Sequence, residues 1–577
     1  MNMTSPKYSD GIKTVVQTNF GGIDKRAGAR DGAIFDMLNM TSDHYPVLST
    51  REARAPYNAY INMMTELLVD GMYELYSVCD VSDRPYCIFT HYNDPGWNIV
   101  VCMVDDEGSV KRCRLSLSER EEWRPGELHS VAFNNMLVVF AGGEAERVRY
   151  DSNKNALYSE RLDSCYEDRF YVYFMALSNV RLELPIDPSL QDEYTSRFGV
   201  GDKVKVTTSD GYDGYLTVRK SVVDLSAQRE YAWIVELDWA DGFCFKNEDG
   251  SYPDGEMFNI SIGISIPTFE HVCVNRDRIW GAVGNELYAC ASCDPRFWFR
   301  YDGTAADSFY AQIPDVSSFT GIASYCNSVY FFTAENVYRM YGTTPDVFSI
   351  APLGIYGMHG TESRSVAVAL GMLFYNSTQG VVSCDGDSAR VIGYPLGDDM
   401  PLSAIGGGFA NKYYMAFQDK MYVFNIEYST WQLYSDNVHI TDVKAFDGRV
   451  VIFEGEYATY INKKEEETTW SSDEKRQSVV EFADISEGSL WGVCPAEFAF
   501  CAWLGEGASL KLSISYEGGE WKEIHSTDKV GKHTHRVRFA PRERVDYYRL
   551  RLDGVGEWKL YSLGRSYSVN SSTPYGE

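Results

Sequence analysis

The stretch "CNSVYFFTAENVYRMYG", residues 326–342, is two short apolar runs joined by a polar hinge. It holds no nucleophile–base pair and no metal-ligand spacing, so its meaning comes from repetition. "RDRIWGAVGNELYACAS", "GMLFYNSTQGVVSCDG", "NKYYMAFQDKMYVFNI" and "GRVVIFEGEYATYINK" share its form: an apolar strand, a polar turn, and a second strand with an aromatic residue or Val. Counted from Asp277, Asn327, Gly371, Lys412 and Gly448, these units start 50, 44, 41 and 36 residues apart. A four-stranded propeller blade takes about 40–50 residues. Each unit therefore reads as the inner hairpin of a blade, which buries its apolar face by stacking on its neighbours. Further units near Gly71 and Asn134 bring the expectation to an all-β chain with a β-propeller of about seven blades. A set of stacked sandwiches is the rival all-β reading, and it requires no regular period.

The rest of the chain is placed around that repeat. Residues 1–55 are rich in Gly and Asp and read as an extended N-terminal arm, with one short helical piece near 34–39. Residues 56–180 are the first part of the propeller, with strand runs such as "RPYCIFTHYN" and "NNMLVVFAGG". Residues 181–268 break the period. There "FGVGDKVKVTTSDGYDGYLTVRKSVVDL" and "REYAWIVELDWADGF" alternate around tight turns, as a small inserted β-barrel does. Residues 269–461 resume the propeller, and 462–478, "NKKEEETTWSSDEKRQS", form a linker. In 479–577 long strands alternate strictly, which reads as a C-terminal β-sandwich.

Composition bounds the function. At 577 residues the chain is too long for one core. A 44% apolar and 23% charged composition makes it globular rather than disordered. The 41 tyrosines suit half-buried sheet positions, where the ring packs and the hydroxyl stays wet. With 53 basic against 82 acidic residues the net charge is −29, the wrong sign for a surface that grips nucleic acid. That charge is compatible with a wall past which nucleic acid slides without sticking. No apolar run approaches the ~20 residues of a membrane helix, and the first residues read as no secretory signal. The 13 cysteines lie scattered in apolar strands, a pattern of reduced thiols made in a cytosol rather than a disulfide framework.

The residues that invite a chemical reading each have a plainer one. Cys290 and Cys293 form the one C-x-x-C, and their nearest histidine is His271, whereas a structural zinc site needs four ligands. Residues 245–256 resemble a calcium loop with Gly250 and Glu256 in place, but Phe245 stands where the first Asp belongs. "CDGDS", 384–388, reads as a turn between blade strands. "SISYEGGEW", 513–521, looks like an Asp-box turn with Glu517 replacing the Asp and Trp521 one residue early. His533 and His535 share one face of a strand and make an incomplete metal site. No G-x-S-x-G, H-E-x-x-H or P-loop occurs. The chain reads as a non-enzyme with no catalytic, metal or cofactor-binding residues and no cofactor.

The order "LYACASCDPRFWFRYDG", "DSFYAQIPDVSSFTGIASYCNSVYFFTAENVYRMYGTTPDVFSI", "GMLFYNSTQGVVSCDG" resembles the β-propeller structural proteins of tailed bacteriophages, the tail nozzle, tail hub or stabilisation proteins. The opening "FGGIDKRAGARDGAIFDMLNMTSDHYPVLSTR" resembles their first segment, and "SISYEGGEWKEI" with "RVDYYRLRLDGVGEWKLYSLG" resembles a sandwich of such virion proteins. The likeness spans about residues 15–570 and lies in order and texture. It implies a virion component of the tail, assembled in the host bacterial cytoplasm, with no catalytic residues to carry over. Its implied partners are the portal or head–tail adaptor, other tail proteins, and copies of itself in a ring of six. That ring would surround the genome-ejection channel, with DNA passing through unbound and no membrane involved. The alternative is a tail-associated glycan-binding or sialidase-like propeller enzyme, which needs arginines and a Tyr–Glu pair converging on the propeller axis. A WD40 or Kelch scaffold is disfavoured because neither signature recurs.

Overall fold

At seven places the chain reverses through a two-residue turn between two apolar runs, and each turn opens a four-stranded antiparallel sheet. Residues Asn134 and Asn135 (φ 49° and 59°) and Cys326 and Asn327 (47° and 58°) are two of these turns. Both central residues lie at positive φ, the backbone that matches the twist of the flanking strands. The computed structural model describes residues 12–568 apart from 27–32, 69–72, 94–95, 120–127, 164, 176–178, 192–193, 195–197, 209–210, 227–228, 239–250, 302, 315, 359, 361–362, 399–402, 436–438, 447, 462–468, 470–472, 474–475, 490–491 and 539–543. Seven such sheets are the blades of a β-propeller, and an inserted barrel and a C-terminal sandwich complete the fold. Among the described residues no helix is long and apolar enough to cross a membrane.

The blades start at strands Glu74–Val81, Leu128–Phe133, His271–Asn275, Gly321–Tyr325, Ala367–Ala369, Ile405–Phe409 and Asp442–Phe446. The repeat seen in the sequence is the second and third strands of each blade, not an innermost pair. In blade 4 these are Ser328–Phe332 and Val337–Tyr341, preceded by Gly321–Tyr325. The second strand is apolar throughout because it is covered on both faces, as the burial of Val329, Tyr330, Phe331 and Phe332 shows. First strands are small and weakly apolar, so they leave little signal. The turn of blade 1 lies at Ser82 and Asp83, beyond the Gly71 start expected for that unit.

The chain divides into two compact units, Asn62–Ser363 and a second made of Met1–Ile61 with Arg364–Glu577. The first holds blades 1–4 and the barrel. Its blades share apolar cores in pairs. Phe140 of blade 2 packs edge-on against Phe269 at 5.4 Å and Trp298 at 6.0 Å, and Trp280 of blade 3 meets Phe331 of blade 4 at 6.2 Å. Buried aromatic pairs of this kind add about 0.5–1.5 kcal/mol beyond their area.

The barrel is closed by six strands in the order Cys165–Met175, Asn179–Pro185, Arg229–Asp238, Asp213–Ser226, Lys203–Thr208, Asp254–Ile264. It begins at 165 rather than 181, because "CYEDRFYVYFM" is the strand that closes the barrel and not a blade strand. Its alternation resembles that of a blade edge, which is why the sequence placed it in the propeller. Trp233, fully buried, is the centre of the interior and stacks on Phe198 at 5.3 Å. Asp202, 2% exposed, ties the barrel to blade 3 through Arg300 Nε at 2.9 Å, and the Arg300 guanidinium lies 3.6 Å from the Phe297 ring centre.

The second unit holds blades 5–7 and the sandwich. Blade 6 begins with Ile405–Phe409, "IGGGF", pressed between the first strands of blades 5 and 7. A Cβ on Gly406 would sit 2.1 Å from the Ser365 carbonyl oxygen, and one on Gly408 would sit 2.2 Å from that of Val368. Only glycine allows backbones that close. The sandwich pairs a six-stranded sheet, containing Cys494–Leu504, Gly531–Arg538 and Trp558–Ser568, with a five-stranded one containing Gln477–Phe482, Ser509–Tyr516, Lys522–Thr527 and Tyr548–Val555.

The N-terminal segment is extended, and its strands are paired into the sheets. Lys13–Gln17 pairs with Trp558–Ser568, Ile34–Leu38 with Gln477–Phe482, and Leu48–Thr50 with Trp558–Ser568. Ala55–Pro56 is the fourth strand of blade 7, opposite Thr459 and Tyr460. Residues 34–38 are therefore a strand and not the expected helical piece. Their "IFDML" has a helix-compatible composition, but sheet partners more than 400 residues away decide the outcome. The sandwich accordingly includes strands from both ends of the chain, and much of the expected linker, 462–468, 470–472 and 474–475, lies outside the described residues.

Candidate functional site: the stitched N-terminal segment

The segment 12–56 is held by apolar contacts and by three polar sutures, two of them buried and one, Lys412 with Asp43, half-buried. Phe20, Ile23 and Ile34 are buried in one core with Trp431, Phe482 and Phe498, so blade 6 and the sandwich share an interior through this segment. Backbone bonds run Ile23 N to Trp431 O at 2.8 Å and Asn39 N to Leu433 O at 2.8 Å.

The first suture is Arg51 with Asp473, each 3% exposed. Arg51 Nη1 and Nη2 donate to the two Asp473 oxygens at 2.8 and 2.9 Å, and its Nε donates to Asn39 Oδ1 at 2.7 Å. The Arg54 backbone N–H adds a bond to Asp473 at 2.8 Å, and Arg54 Nη1 donates to Glu454 at 2.5 Å. Burial alone would raise the Asp473 carboxyl, but the hydrogen bonds and charge of Arg51, with Arg54 behind it, hold it below the usual carboxylate range. The second suture is Lys412 Nζ donating to Asp43 at 2.6 Å and to Tyr434 Oη at 2.9 Å, with Asn425 Nδ2 on the other Asp43 oxygen at 3.1 Å. The third is Arg565 with Glu487, 3% and 2% exposed, where Arg565 also donates to Gln17 Oε1 at 3.2 Å. Breaking a buried pair from one side costs about 3–5 kcal/mol, since the other charge is left stranded.

No sequence signal announced these residues. Arg51 and Asp473 are 422 residues apart, and each looks like an ordinary surface charge in its own stretch.

The residues singled out from the sequence lie elsewhere and stay apart. Cys290 is fully buried, accepts from Ile279 N at 3.1 Å, and burial pushes its thiol up to about 12. Cys293 is exposed in a turn at φ 59°, and all the described cysteines are free. His271 pairs with Ala282 on the first strand of blade 3. Of the calcium-like loop, 245–250 lies outside the described residues, and Glu256 sits in barrel strand Asp254–Ile264. Asp385 caps the expected turn by accepting from the N–H groups of Ser388 and Asp387, which hold its carboxyl low. Glu517, at φ 51°, accepts from Asp546 N at 2.9 Å in a sandwich hairpin. His535 stacks on Phe500 at 5.0 Å and meets His525, a partner the sequence reading missed, at 3.3 Å. Burial, then His525 and His533, lower the His535 imidazole. Among the described residues no three His, Cys, Asp or Glu side chains group as a metal site would require.

No family model and no curated protein matches the chain. Among solved structures it is similar to BamB from Moraxella catarrhalis, at 8% identity and a TM-score of 0.31 over 68% of this chain and 95% of that one. It is also similar to an acylaminoacyl peptidase from Pyrococcus horikoshii, at 10% identity and a TM-score of 0.27 over 72% and 59%. Likeness of that degree carries no argument about activity.

Proposed function

We propose that this chain is a non-enzymatic structural component of a tailed-phage virion, a nozzle or hub protein of the tail below the portal or its adaptor. Copies of it close into a ring of six around the channel through which the genome leaves. The observation that carries this reading is the stitching of both chain ends into one sandwich and one blade. A body closed in this way bears load through paired strands and buried ion pairs rather than through a flexible arm. The order of the blade segments and of the opening stretch, which resemble those of phage tail propellers, supports the same reading. The net charge of −29 suits a wall that repels phosphates, so that DNA passes without being trapped.

The test is the native mass of the purified chain together with two-dimensional class averages. A closed ring with a central hole is the expected result. A chain that stays monomeric when mixed with portal and adaptor proteins, and that hydrolyses glycans, would overturn the proposal in favour of an axial-pocket enzyme.

A further inference from the structure

Beside the first suture lies a cleft of about 710 Å³, lined in part by His44, Arg51, Asp473, Arg476, Glu557 and Lys559. Three guanidinium groups converge there on one carboxylate. Asp473 Oδ2 is 2.8 Å from Arg51 Nη1, 3.7 Å from Arg476 Nη1 and 3.8 Å from Arg54 Nε. Both Asp473 oxygens already accept from Arg51, and one also accepts from the Arg54 backbone, so Arg476 has a charge contact but no hydrogen bond to it. Arg476 is 9% exposed, and its Nε and Nη1 are enclosed without a hydrogen-bond partner. Arg54 Nε is enclosed in the same way. Burial, and then the charge of Arg51, lower the Arg476 guanidinium to about 10.

Native proteins rarely leave a buried charged donor unmet, because the desolvation cost is not recovered. Glu557 and Glu52 also line the cleft but neither meets Arg476 Nε or Nη1, and Glu454 is taken by Arg54. What the guanidinium lacks is a planar or tetrahedral group of acceptor oxygens, the partner that its fork of donors fits. We propose that this cleft binds an oxyanion, a carboxylate or phosphate group seated on Arg476 with Arg51 and Lys559 at its flanks. This inference stands independently of the role proposed above.

The experiment is thermal unfolding of the full chain in potassium phosphate, potassium acetate and potassium chloride at matched ionic strength, for wild type, Arg476→Met and Arg476→Lys. Wild type is expected to gain a few degrees in a saturable way with phosphate or acetate, but not with chloride. Arg476→Met is expected to melt higher than wild type in chloride, because the unmet charge is gone, and to lose the anion response. Arg476→Lys keeps the charge without the fork and is expected to respond at least tenfold more weakly. A response to phosphate alone marks a phosphate ligand, and an equal or stronger response to acetate marks a carboxylate. No saturable response in wild type, or the same response in Arg476→Met, would overturn the proposal.

Discussion

The barrel and the sandwich are both antiparallel and both well filled, yet they are specified in different ways. Every barrel strand comes from one run of chain, Cys165–Met175 through Asp254–Ile264, and neighbours in sequence are mostly neighbours in space. Its register follows from alternation around an apolar interior that holds Trp233, while the ion pair of its buried Glu183, with Arg181, lies within one strand. The sandwich instead combines strands from the two ends of the chain. Thr14 Oγ1 lies 3.0 Å from Ser566 Oγ, 552 residues away. Apolar patterning alone would leave such distant strands free to slip or to pair elsewhere. The stitched region carries the ion pairs Arg51–Asp473 and Arg565–Glu487 where the distant segments meet, and each has one best geometry. The contrast suggests, as a hypothesis, that local contacts set the barrel and buried charges set the register of the stitched region.

The sharpest way to break this comparison is to delete residues 1–56. Hydrogen exchange is expected to become fast in 477–482, 457–461 and 558–568 while barrel strands stay protected. Protection retained in the sandwich would show that the stitching is dispensable. Next in size, Arg51→Met leaves the buried Asp473 carboxylate with the Arg54 N–H as its remaining short hydrogen bond and should cost about 3–5 kcal/mol in urea unfolding. Asp473→Leu leaves Arg51, Arg54 and Arg476 without their shared carboxylate and should cost at least as much, so a near-neutral Asp473→Leu would argue against a register role. Trp233→Ala should cost a similar or slightly smaller amount, about 3–5 kcal/mol, with faster exchange confined to 165–264. Spread of that effect into the sandwich would erase the distinction between the two regions.

The smallest effect is a pH slope in the unit that holds the barrel. His129 and His271, on the first strands of blades 2 and 3, are lowered by burial, His129 to about 4. An imidazole that titrates lower in the fold than its unfolded 6.5 must be neutral to fold, so stability is full above that value and falls as pH drops toward 4. His129 alone should remove about 2 kcal/mol between pH 7.5 and 5, read from urea midpoints. His129→Gln should flatten the slope, and an unchanged slope would mean that the imidazole is not the titrating group.

Sequence legibility followed the same divide. The second blade strands were readable because both of their faces are buried, which writes continuous apolar runs such as "SVYFF" and "KYYMAF", and the third strands were found from them across a short turn. First strands such as "IGGGF" and "AVA" were not, because their constraint is close backbone approach rather than hydrophobicity. The barrel's alternation was visible, but its first strand was not separated from the blade pattern before it. That residues 1–56 are mostly extended was legible, but their partners were not, since a strand's partner 400 or more residues away leaves no local mark. The cysteines and histidines drew attention as residue types with known chemistry. The arginines that line the cleft did not, because an arginine shows its role only when its surroundings are buried.

The stitching also sets a timetable. The strand Lys13–Gln17 is made well before its partner Trp558–Ser568, with Thr14 and Ser566 552 residues apart. At about 5–20 residues per second the interval is roughly 30–110 seconds, during which the early strands have no native mate. Blades 1–4 and the barrel can take shape in that time, blade 7 can close once Tyr457–Ile461 has been made, and the sandwich waits for Trp558–Ser568. A chain stopped before Trp558–Ser568 would therefore display the open strand edges of Lys13–Gln17, Leu48–Thr50 and Cys494–Leu504.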